Sequence, residues 1–169
     1  MHRAIATALI IALTCAHVAL AAPLFAITAK QDTVERREGQ SQQLPRGTTH
    51  LTSSEVCYVF TLKPSSLTIP TNATAQWVVL KESKDGRLAP GTRGQQAITP
   101  AGPGKAIEIR TDTIPLTERE WTGRARLKHG SVEDSIYGYA LRIISDTGFI
   151  LAEKYDPARM KDKADWTQE

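Results

Sequence analysis

The sequence predicts an all-β domain, an antiparallel sandwich, behind an apolar N-terminal leader. Three observations carry that prediction. Short apolar runs beyond His50 alternate with a period of two, clusters of turn residues separate them, and no apolar stripe at helical spacing runs for more than about one turn.

The first element is the leader. From Ala4 to Ala29 only Thr7, Thr14, His17, Pro23 and Thr28 interrupt small and apolar side chains. The run follows a basic start, Met1-His2-Arg3, and contains Ala19-Leu20-Ala21, the small-residue spacing that a leader peptidase recognises. Residues 1–21 therefore read as a signal peptide, and the protein is expected to be periplasmic or secreted. An uncleaved anchor formed by residues 4–29 is the alternative, since about 20 apolar residues suffice to cross a bilayer. Cleavage removes Cys15 and leaves Cys57 as the sole cysteine, so an oxidising compartment offers it no partner within the chain. Cys57 lies in the apolar run Val56 to Phe60, where a thiol behaves as a small buried hydrophobe.

Residues 22–50 follow as an expected flexible polar tether. Between Lys30 and His50 only Val34 and Leu44 offer apolar burial, too little to offset the entropy of ordering. Residues 51–156 form the expected sandwich. Val56, Tyr58, Phe60 and Leu62 alternate with Cys57, Val59 and Thr61; Ala75 to Leu80 is a second run, Lys105 to Arg110 a third, and Trp121 to Lys128 a fourth. Ser135 to Ile144 and Phe149 to Tyr155 flank Ser145-Asp146-Thr147-Gly148, a tight reversal, and predict a hairpin with Tyr137, Tyr139, Leu141 and Ile143 on its core face. Asp85 to Lys105, with five glycines and three prolines, reads as one long loop containing at most a short edge strand at Gln96 to Thr99. Thr117 to Glu120 has a capping-box pattern with room for one helical turn. Residues 157–169 read as a polar tail that forms a short helix or frays. Strands of this number and spacing suit an immunoglobulin-like architecture without the immunoglobulin cysteine pair, with a small β-barrel as the alternative.

The formal net charge of +3 argues against a general nucleic-acid footprint and leaves the membrane accessible only through an uncleaved leader. Enzyme chemistry finds little support. A triad needs a histidine base, and beyond the leader only His50 and His129 exist, neither close in sequence to a nucleophile motif. No Gly-x-Ser-x-Gly and no phosphate-cradling glycine loop occurs. No metal or cofactor is expected, because His50, Cys57 and His129 are scattered and the acids Glu133, Asp134 and Asp146 read as solvated rather than as a calcium set. An enzyme site assembled around His129, Glu133 and Asp134 is the least favoured reading.

The positive signal is a basic stripe. Period two places Arg124, Arg126 and Lys128 on one face of the fourth run, suited to an acidic partner or a sulfated or phosphorylated glycan. Arg87 and Arg93 of the long loop would add to it, and Trp121 is the tryptophan best placed for exposure. The expected function is an exported single-domain binding protein with a protein partner in the envelope or outside the cell, and a carbohydrate-binding module built on Trp121 is the alternative.

Overall fold

The computed structural model describes residues 23–44, 47–65, 72–99, 104–123 and 130–167. Their elements are strands β1 (Phe25–Leu44), β2 (Gly47–Pro64), β3 (Ala73–Glu82), β4 (Leu88–Ile98), β5 (Ile107–Arg110), β6 (Ile114–Gly123), β7 (Gly130–Glu133), β8 (Ser135–Ser145) and β9 (Ile150–Asp156), then a 3-10 helix at Ala158–Asp162. Among the described residues there is no α-helix. The strands make two antiparallel sheets that face each other without closing into a barrel.

Strand β2 organises the first sheet. It pairs along its length with β1 on one side; on the other it pairs first with β6 and then with β5, and β7 extends the sheet beyond β6. Thr111 bridges the break between β5 and β6. Its amide donates to Tyr58 O at 2.9 Å and its hydroxyl accepts from Tyr58 N at 3.0 Å, so β2 loses no backbone partner where its neighbour changes. The second sheet has the order β4-β3-β8-β9.

The core lies between them and follows the alternation read from sequence. Val56, Tyr58, Phe60 and Leu62 meet Trp77, Val79, Tyr139, Leu141 and Ile143, with Phe25, Ile109 and Ile114 completing the layer. Tyr58, Phe60 and Tyr139 form an aromatic group with ring centroids 5.2–5.8 Å apart, the separation that offset and tilted rings prefer. The Ser145 to Gly148 reversal forms as expected, with Gly148 at φ 87°.

Five expectations are corrected. The stretch expected as a tether, residues 22–50, is β1 and the start of β2, because the cross-strand backbone ladder orders chain that side-chain burial would not. The apolar run divides there: Phe25, Ile27 and Ala29 pack inward in β1, so an anchor cannot include residues 25–29, while residues 1–22 lie outside the described residues. The long loop is mostly β4. It follows β3 through a turn at Ser83 to Arg87, and its edge position accommodates Pro90 and Gly91, with a bulge opposite Val79 and Leu80. Thr117 to Glu120 is strand, held by ladders on both sides. Tyr137, which leaves the core face, is the fifth, while the tail does form a short helix and packs it on the outer face of the second sheet, where Met160, fully buried, joins Val78, Leu80 and Ala140.

That second apolar layer explains why β3 reads as an unbroken run. Ala75, Trp77 and Val79 face one layer while Val78 and Leu80 face the other. It also moves Tyr137. A bulge sets Leu80 opposite Gly138 and Lys81 opposite Ile136, so Tyr137 turns outward against the tail and Ile136 packs inward.

Candidate binding surface

Strands β1 and β2 run for 20 and 18 residues, about twice the 10 of β3 and the 11 of β8. The first sheet therefore continues past the end of the second. Beyond Val56 and Ile114, β1, β2, β6 and β7 form an arm that extends about 30 Å past the core. Among its described side chains not one is buried. Cross-strand ladders and polar contacts hold it, including Arg37 bidentate on Glu35 at 2.8 Å.

Register separates its two faces. The face continuous with the core carries Thr52, Ser54, Leu116, Glu118 and Glu133, with Arg36 across from Ser54 and 3.8 Å from Glu118. Where the core ends, these side chains border an open polar hollow of roughly 230 Å³ together with Gln31, Thr33 and Asp134. The Asp134 carboxylate is already engaged. It accepts from the Thr117 hydroxyl at 2.7 Å and the Thr117 amide at 3.3 Å, and these bonds hold its pKa below the usual carboxylate value.

The opposite face carries Ser53, Thr49, Leu51, Arg119, Trp121 and Val132. Trp121 pairs with Thr49, Leu51 with Arg119, and Arg119 with Val132, so Trp121 and Leu51 are diagonal neighbours. Both are exposed, 40% and 42%. An aromatic and an aliphatic side chain side by side on a solvated sheet face are the arm's most distinctive chemistry.

The expected site residues are not gathered into one place. Trp121 stands on the arm. Arg87 lies in the β3–β4 turn, 3.2 Å from Asp85 and exposed. Arg93 lies about 20 Å farther along β4 and donates from Nη1 to Thr167 O at 3.0 Å, so it fixes the tail instead of adding to a basic field. Arg124, Arg126 and Lys128, and with them His129, lie outside the described residues. Trp77 is core, with Nε1 lacking a hydrogen-bond partner among the described groups. Cys57 is buried on the outer side of the first sheet, where Arg110 Nε lies 3.2 Å from its sulfur. Glu133 ends β7 and Asp134 precedes β8, whereas Asp146 lies beyond the far end of β8, about 35 Å away, so the three acids do not form a cation site. Leu51 and the hollow around Glu118 escaped sequence reasoning. Their only signal is the alternation within Thr48 to Val56, which looks like polar linker until β6 is laid beside it.

No family profile and no curated protein matches the chain. Two solved structures align with most of it. The Northeast Structural Genomics Consortium target SoR45 aligns with 78% of this chain over 85% of its own, at 14% identity and a TM-score of 0.31. A protein from Akkermansia muciniphila aligns with 86% over 78%, at 11% identity and a TM-score of 0.33. Likenesses this distant carry no argument about function.

Proposed function

We propose that the protein is an exported, single-domain binding module of the cell envelope or extracellular space that takes a protein partner on its projecting arm. The signal peptide at residues 1–21 delivers it, and the immunoglobulin-like layering supplies a rigid base. Sandwiches host many unrelated activities, so surface chemistry and not fold supports this reading. One observation carries it: a four-stranded arm with no buried side chain among those described presents Trp121 beside Leu51. A sheet needs a covered apolar face for independent stability, and a partner over this face would provide one. Aromatic anchors with aliphatic neighbours and a polar surround are the usual centre of protein interfaces. Arg124, Arg126 and Lys128, which connect β6 to β7, would favour an acidic contact, as would Arg119 beside Leu51.

Affinity capture with the full chain from envelope extract tests this. Trp121→Ala combined with Leu51→Ser abolishes recovery of the partner, and charge reversal at Arg124 and Arg126 weakens it. Recovery unchanged by both variants overturns the assignment. A second reading, glycan binding, draws on the polar groups of Thr49 and Gln42 beside the exposed indole. Binding on a glycan array that disappears with Trp121→Ala would establish it instead.

A further inference from the structure

We propose that the end of the sandwich where the chain passes from residue 22 into β1 rests on a lipid bilayer, with Phe149 and Ile150 seated in the membrane interface. The inference rests on the export reading above in the form where the leader stays uncleaved and holds the chain to the membrane.

The N-terminal residues of the fold are clamped at one point. Ser65 Oγ donates to Pro23 O at 2.7 Å, Ser65 N to Leu24 O at 2.9 Å, and Leu24 N to Leu151 O at 3.2 Å. Leu151 directly follows the two large apolar side chains most exposed among the described residues, Phe149 at 73% and Ile150 at 54%. These sit at the β8–β9 reversal, whose shape is fixed locally. Phe149 N donates to Ser145 Oγ at 3.0 Å, that hydroxyl lies 2.8 Å from Thr147 Oγ1, and Ser145 N bonds back to Phe149 O at 2.9 Å. An aromatic and a branched aliphatic side chain held out on a rigid tip suit the boundary between acyl chains and headgroups.

The occupant follows from the chain that adjoins this tip. Ala4 to Ala22 carries no charged side chain. A helix of that length reaches about 28 Å, close to the hydrocarbon thickness of about 30 Å. The clamp at Leu24 therefore brings the proximal end of a membrane-length apolar segment beside Phe149 and Ile150. Lys63 and Lys105, both exposed, flank the same end, where lipid phosphates would meet them; Asp146 is the opposing charge on the turn. The geometry also orients the rest of the protein. From Phe25, β1 runs about 60 Å to Leu44, so Trp121 and Leu51 stand well clear of the surface.

The test uses the full chain reconstituted into vesicles of phosphatidylethanolamine and phosphatidylglycerol, with a photoreactive benzoylphenylalanine at position 149 or, as a control on the arm, at position 51. The expected result is co-flotation of both proteins, lipid adducts at position 149, and loss of that signal at position 51. Flotation without lipid adducts at 149, or equal adducts at both positions, overturns the seating of the tip and leaves the export reading standing. Failure to float overturns the retained anchor and with it the seating of the tip, and leaves export by a cleaved leader standing. A protein adduct at 149 in native membranes, with lipid adducts missing, would assign the tip to a protein contact and overturn the proposal.

Discussion

The guanidinium of Arg142 lies 4.3 Å from the centroid of the Trp166 ring. Its Nε also donates to Gln76 Oε1 at 2.9 Å, so one side chain ties the C-terminal tail to β8 and β3. Arg159 over Tyr137, at 4.4 Å, repeats the arrangement one step away. Trp166→Ala removes the stacked cation and part of the cover over Val78, and is expected to cost about 1–2 kcal/mol. Urea unfolding checks this as a lowered midpoint with an unchanged slope.

Gly138 lies under the start of the tail, against the end of β9. A Cβ there would collide with Asp156 O, Pro157 Cδ and Met160 Cγ, two of them parts of the backbone or a closed ring that cannot swing aside. Gly138→Ala is expected to destabilise the fold by about 1–3 kcal/mol, and to do so by loosening the tail. A larger gain in proteolysis after Lys161 or Lys163 than elsewhere is the matching readout.

Cys57 is fully buried under Arg110. Its thiol is expected to be inert to a disulfide reagent in the native protein and to react at the rate of an exposed thiol once urea unfolds the chain. Rapid native labelling at Cys57 would show that the outer side of β2 opens.

Hydrogen exchange should grade along β2. Amides from Val56 to Leu62 back directly onto the core and exchange only on global unfolding, whereas those from Thr48 to Glu55 are protected by the ladder alone. The arm amides are therefore expected to exchange faster, by roughly a hundredfold or more if the local opening is some 3 kcal/mol easier. Uniform protection along the whole strand would show that the arm is as stable as the core.

Alkaline pH should unfold the protein through its tyrosines. Burial pushes Tyr58 up to about 12, and burial followed by the Glu153 hydrogen bond does the same for Tyr155. A group raised in the folded state contributes stability that is complete below its unfolded value of 10 and disappears as pH climbs from 10 to 12. Stability is thus expected to be flat up to about pH 10 and to fall above it, with Tyr58→Phe and Tyr155→Phe shallowing the fall. At the acid end the sign reverses. Asp134, lowered by the Thr117 hydroxyl, favours the folded state above about pH 4 and ceases to do so as it protonates.

What the sequence determined by itself is the part of the fold where side chains carry the signal. Val56 to Leu62 alternates because one face of β2 enters the core, and Ser145 to Gly148 specifies its own reversal, so that strand, the β8–β9 hairpin and the all-β class were readable from the chain. Tertiary structure decided what side chains do not encode. Residues 30–44 looked too polar to order, yet pairing with β2 satisfies their backbone; the edge strand β4 looked like loop because an edge tolerates Pro90 and Gly91. The second apolar layer was hidden because Met160 and Trp166 lie far in sequence from the Val78 and Leu80 they cover. Trp121 was legible as an exposed aromatic, but its neighbour Leu51 was not. Their adjacency exists only through the register of β2 against β6, a relation between distant segments that backbone hydrogen bonds set.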